Sequence, residues 1–134
     1  MSTHSIIAMQ TTDGHRSIYC HFDGYPEGVG AVLKAHYTEA DKIRALMDLG
    51  DLSAIGPEIG EAHDFNKHDA ETGTDSWCLA YGRDRGEKGT EAQEHEHDRD
   101  VIARMDDCGA EYAYLWDAEH GWRMMPKYPD WRAF

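Results

Sequence analysis

Three strings in the 134-residue chain combine side chains that could do chemistry. The first is Arg83-Asp84-Arg85-Gly86-Glu87. Two arginines flanking a carboxylate could clamp an anionic ligand through paired N–H donors, or simply hold a turn by local ion pairs. The second is Asp23-Gly24-Tyr25-Pro26-Glu27-Gly28-Val29-Gly30. Glycines ahead of a helix can cradle a phosphate, because the free amides and the helix dipole favour an anion. Here Asp23 and Glu27 occupy the place of that anion, no lysine follows as in a P-loop, and the dinucleotide glycine spacing is absent. A strand-to-helix turn is the better reading. The third is Glu94-His95-Glu96-His97-Asp98, preceded by Glu91. It is rich in metal-ligand types, and His63, Asp64, His68 and Asp69 could extend it. Zinc-hydrolase spacings are missing, so the run reads as a solvated acidic loop, with no metal and no cofactor expected.

Other chemistry finds less support. Cys20 and His21 are adjacent on a predicted strand, so they point to opposite faces and cannot pair as nucleophile and base. No serine lies in a nucleophile elbow. The aromatics Trp77, Tyr81, Tyr112, Tyr114 and Trp116 alternate on predicted strands with few basic neighbours, which argues for core packing over base stacking. The catalytic assignment is therefore empty. The binding candidates are Asp23, Tyr25, Glu27, Arg83, Asp84, Arg85, Glu87, Glu91, Glu94 and Glu96.

The elements that must carry these residues follow from periodicity. Residues 4–10 and 16–22 read as strands joined through an Asp-Gly turn. Val29, Val32, Leu33, His36 and Tyr37 share one helical face. Thr38, with Asp41 three residues on, is expected to cap a second helix whose inner face is Ile43, Leu46 and Met47 and whose end is Gly50. Leu52 and Ile55 should tuck back onto the core. Residues 58–75 read as a loop, 76–82 as a third strand with Trp77, Leu79 and Tyr81 on one face, and 83–97 as a second loop. A short helix from about Asp98 to Gly109 precedes a last hairpin, 111–117 and 121–125. The tail with Pro126, Pro129 and Trp131 is expected to form an irregular cover. This order predicts one α+β domain: an antiparallel sheet of about five strands with helices packed on one face.

Composition bounds the setting. Three cysteines without a CxxC pair argue against a disulfide framework. The N-terminal residues lack signal-peptide character and no apolar run reaches membrane-spanning length, so a cytoplasmic protein is expected. Twenty-six acidic residues against thirteen basic ones give a net charge of −13. Such a surface repels nucleic acid and anionic lipid and favours a protein with a basic surface as partner. The charge is uneven: residues 61–100 hold twelve acidic and five basic residues, a net of −7.

The strings IYCHFDGYPEGVG at 18–30, MDLGDLSAIG at 47–56 and AYGRDRGE at 80–87 resemble a family of small proteins found in bacteriophages, prophages and related mobile elements. The resemblance covers roughly the first 87 residues well and the final hairpin more loosely. It carries over no catalytic residue. It implies a host-cell setting in which small acidic proteins bind and inhibit host complexes, anti-CRISPR proteins among them. The expected function is thus a non-enzymatic binding protein. A small anionic-ligand or nucleotide-binding protein using the Arg83–Glu87 turn, and a phage structural or assembly component, are the alternatives.

Overall fold

The computed structural model describes residues 2–126 and 131–134. Seven strands and four helices form a mixed sheet with helices on both faces. The strands are β1 (Ser5–Gln10), β2 (His15–Cys20), β3 (Leu52–Ala54), β4 (Leu79–Ala80), β5 (Gln93–His95), β6 (Tyr112–Asp117) and β7 (Gly121–Pro126). The helices are α1 (Ala31–His36), α2 (Ala40–Leu49), α3 (Tyr81–Arg85) and α4 (Asp98–Asp107). The sheet order is β4-β3-β2-β1-β6-β7, and β5 pairs with β2.

The two hairpins β1–β2 and β6–β7 form as their alternation predicts. They join through β1 and β6, which run parallel, and β2 and β3 are parallel as well. The sheet is therefore not the antiparallel one expected. The chain returns to β6 through α4, which packs across β1, β2 and β6, and a parallel pair requires such a crossover.

Helices on one face were expected; the side chains of β1 show why there are two. Ile7 and Met9 enter a core shared with Leu33 of α1 and Ile43, Leu46 and Met47 of α2. Ile6 and Ala8 enter a second core with Val101 and Met105 of α4. All four residues are buried, so the central strand has no solvent face. Burying a large aliphatic side chain contributes about 1.5–3 kcal/mol, so this strand anchors both layers.

Local differences from the sequence reading have identifiable causes. Residues Pro26–Gly30 form a π-helical turn, and the α-helix proper begins at Ala31. Helix α2 starts at Ala40 behind Glu39, without a side-chain cap, so Thr38 and Asp41 do not make the expected capping box. The α1–α2 corner is set instead by buried Tyr37, whose hydroxyl donates to the Gly56 carbonyl (2.7 Å) while its own carbonyl accepts from the Trp122 indole (2.8 Å). Gly50 does end α2: its φ is +76°, and a Cβ there would lie 2.2 Å from the Thr90 carbonyl oxygen.

The third strand shrinks to Leu79–Ala80, because the Asp84 carboxylate reaches back to the Ala80 amide (2.8 Å) and turns Tyr81–Arg85 into helix α3. Residues 83–97, expected as loop, include the end of α3 and strand β5. Helix α4 starts at Asp98 with His97 and Asp100 exchanging capping-box contacts. In the tail, Trp131 and Phe134 pack against the two cores and Arg132 exchanges two backbone hydrogen bonds with Met124. Pro129 lies outside the described residues.

Candidate functional site

The Asp23–Gly30 string is a latch on the sheet. The Gly24 carbonyl accepts from the Tyr114 hydroxyl (2.7 Å), and the Asp23 carbonyl accepts from the Val29 amide (2.8 Å). A Cβ on Gly28 would sit 2.3 Å from the Asp23 carbonyl oxygen, so glycine is needed for the wrap itself. Asp23 takes a left-handed φ of 57°, a conformation that Asp tolerates. Packing therefore accounts for the glycines. Asp23, Tyr25 and Glu27 are exposed, with the Tyr25 hydroxyl donating to Asp23 at 3.3 Å. The cleft beside this turn is lined by Phe22, Asp23, Glu27, Val32 and Ile55 among others, and by neither Arg83 nor Arg85.

Arg83 and Arg85 do not act as a pair. The Arg83 guanidinium is turned inward, donating to the carbonyls of Ile59 and Cys78 (2.8 Å each) and to the Asp84 carboxylate (2.9 Å). The Asp84 side chain is fully buried and also accepts from the amides of Ala80 (2.8 Å) and His63 (3.1 Å). Burial alone would raise its carboxyl pKa, but the Arg83 hydrogen bond and the two amides outweigh that and hold it below the ordinary value. These two residues thus tie the segment around Ile59 and His63 to β4. Arg85 is exposed, pairs with Glu87, and lies over the rings of Phe65 and Tyr81 (4.6 and 4.8 Å).

The acidic candidates Glu91, Glu94 and Glu96 lie on and beside β5, and all three are exposed. Strand β5 is fixed on β2 in the register His15–His95, Arg16–Glu94 and Ser17–Gln93. Its anchor is a buried polar network that sequence reasoning missed. Arg104 of α4 donates to the Ser17 carbonyl (2.7 Å), the Ser17 hydroxyl (3.0 Å) and the Asp51 carboxylate (3.0 Å). Asp51 also accepts from the Tyr19 amide (2.9 Å). Ser17 Oγ also shares a hydrogen bond with His95 Nε2 (2.7 Å), which links β5 to the Arg104 network. Burial, and then the Arg104 charge, lower the His95 pKa. The visible signal was Arg104 itself, a charge three residues after Val101 and next to Met105 on the buried face of α4.

Among the described residues, none of these three glutamates makes an ion pair. Six arginines, Arg16, Arg44, Arg83, Arg85, Arg104 and Arg123, are already committed to other carboxylates. The acidity continues past Glu96 into the exposed Asp98 of the first turn of α4.

The remaining candidates for chemistry are held in contacts within the fold. The Ser17–His95 contact resembles a nucleophile and base, yet Ser17 is fully buried. His63 Nδ1 donates to the Glu61 carbonyl (2.8 Å) and its Nε2 shares a hydrogen bond with His68 Nδ1 (3.0 Å), an Asp84–His63–His68 chain at the edge of the 58–75 loop. His95 and His97 diverge, one bonded to Ser17 and the other capping α4. No group of three or more His, Cys, Asp or Glu side chains among the described residues is arranged to hold a metal ion. Cys20 and Cys78 are buried, and burial pushes the Cys20 thiol up to about 12. No helix among the described residues is long and apolar enough to cross a membrane. No family model matches the chain, and no curated protein or solved structure matches it.

Proposed function

We propose that this chain is a non-enzymatic binding protein that docks through its acidic β5 edge on a basic surface of a host protein complex and inhibits or redirects that complex. The observation that carries the reading is Glu91, Glu94 and Glu96, exposed and without ion-pair partners among the described residues, on and beside a strand that Arg104, Ser17 and His95 hold in register. A fixed display of unneutralised carboxylates loses little freedom when a partner arrives, and its field steers a basic partner to it. The resemblance to phage and prophage proteins supplies the setting, a host cytoplasm and an anti-defence, anti-CRISPR-like role. The inward commitment of Arg83 weakens the alternative of an anion clamp at the Arg83–Glu87 turn.

The test is co-purification of tagged wild type and of Glu91→Gln/Glu94→Gln/Glu96→Gln from bacterial lysate at low and at high salt, with identification by mass spectrometry. The reading expects a stoichiometric basic protein that wild type retains at low salt and that both the triple variant and high salt release. A wild type that emerges alone at low salt, or a partner held equally by the variant, would overturn it.

A further inference from the structure

A second groove lies at the turn end of the β1–β2 hairpin, next to the acidic edge, and its lining carries arginines in place of glutamates. It is a cleft of about 350 Å³, a size suited to a small ligand, and the side chains that define it are Gln10, Thr11, Thr12, Arg16, Arg44 and Trp116. None of Glu91, Glu94 and Glu96 lines it. Two arginines line one concavity in a chain whose net charge is −13.

Both arginines are held by carboxylates that are easily exchanged. Arg16 donates to Asp48 at 3.0 Å, and Arg44 pairs with Asp41. Asp48 is 70% exposed and Asp41 96% exposed, so water takes over their solvation at little cost when an incoming anion replaces them. This is the reverse of Arg83, whose carboxylate is fully buried and whose other N–H groups are occupied by carbonyls. The cleft adds hydroxyl donors from Thr11 and Thr12, an amide from Gln10, and a half-buried indole from Trp116. Guanidiniums recognise phosphate or carboxylate oxygens through paired N–H donors, and an indole face receives a flat ring. The overall negative field keeps polyanions away and leaves a single compact anion as the fitting occupant.

We infer that the Arg16–Arg44–Trp116 cleft binds a nucleotide-sized aromatic anion, with its phosphate or carboxylate between the two guanidiniums and its ring against Trp116. This site adjoins the acidic β5 edge, since Arg16, Thr11 and Thr12 also line the neighbouring groove that holds Glu94 and Glu96, and it moves anion recognition away from the Arg83–Glu87 turn.

The test is a titration of the whole chain with adenosine 5′-monophosphate at low ionic strength, following the tryptophan indole N–H resonances. Inorganic phosphate and adenosine are run as separate arms. The expected result is saturable binding that moves the Trp116 indole and weakens about tenfold or more in Arg16→Gln and in Arg44→Gln, as the loss of a charged hydrogen-bond partner implies. Asp48→Asn and Asp41→Asn should tighten it, because each frees a guanidinium; a merely misfolded variant would not do this. Inorganic phosphate binding as tightly as the nucleotide would overturn the role given to Trp116. Absence of saturation with millimolar nucleotide, binding indifferent to both arginines, or no gain in either asparagine variant would overturn the site.

Discussion

Replacing Asp84 by Ala separates a structural from a ligand-clamping role for the Arg83–Glu87 turn. The carboxylate is fully buried and accepts four contacts: two from the Arg83 guanidinium (2.9 and 3.2 Å), one from the Ala80 amide and one from the His63 amide. Its removal leaves a guanidinium that is only 17% exposed without its counter-charge, and two amides without acceptors. Breaking a buried pair by removing one partner costs about 3–5 kcal/mol. Arg83 keeps its bonds to the Ile59 and Cys78 carbonyls, so the lower end applies, about 3 kcal/mol. For a chain of this length that lowers Tm by about 10 °C. The assay is urea and thermal unfolding of wild type, Asp84→Ala, Arg83→Leu and the double variant. The cycle should return a coupling of about 1.5–3 kcal/mol between the two residues. Because the Asp84 pKa is depressed in the fold, its contribution is present above the ordinary value of 3.8 and is lost as pH falls through the depressed one. The variant should therefore also lose part of the wild-type acid sensitivity in that window. A loss under about 0.5 kcal/mol would match an exposed pair and refute the structural assignment.

Two more predictions concern pH and thiols. The pKa values of His95, His68 and His21 are all lowered, with burial the largest cause in each, so the fold prefers their neutral forms. Their contribution is complete above the ordinary 6.5 and is lost as pH falls below it through the lowered values. Relief of the −13 self-repulsion opposes this on acidification, so the comparison with His95→Gln between about pH 7.5 and about pH 5 isolates one residue: the variant should lose less stability than wild type over that interval. Cys20 and Cys78 are buried with raised pKa values, whereas Cys108 is only partly buried. A thiol reagent should therefore label one cysteine quickly in the native protein and three after unfolding, and Cys108→Ser should abolish the native fraction. Fast labelling in that variant would contradict the burial.

The sequence made some elements readable and hid others for physical reasons. Both hairpins, α2 and α4 announced themselves because their apolar spacing and turn residues agree. The way the hairpins join was hidden, since alternation within each pair says nothing about the strand next door. One clue lay in Ile6-Ile7-Ala8-Met9, an unbroken apolar run that suits a strand buried on both faces better than the one-faced sheet expected. Residues 76–82 alternate like a strand, but the reach of Asp84 to the Ala80 amide turned their second half into helix α3.

The candidate residues divide in the same way. Exposure of Glu91, Glu94 and Glu96 follows from local charge, so it could be read from the chain. That β5 would be stapled to β2 could not be read, because Ser17 and His95 are 78 residues apart and Ser17 and Arg104 are 87 apart. Arg83 and Arg85 look equivalent in sequence, and only the carbonyls of Ile59 and Cys78 distinguish the inward one. The meeting of Arg16, Arg44 and Trp116 in one cleft is likewise a product of sheet order.

The central claim is that unneutralised carboxylates on and beside β5 bind a basic partner. Its most direct measurement is the affinity of wild type and of Glu91→Gln/Glu94→Gln/Glu96→Gln for the co-purified host protein across a salt series. The account predicts wild-type binding that weakens steeply with added salt, and a variant that binds more weakly with a shallower salt dependence. Equal affinities and equal salt dependence in the two proteins would contradict it.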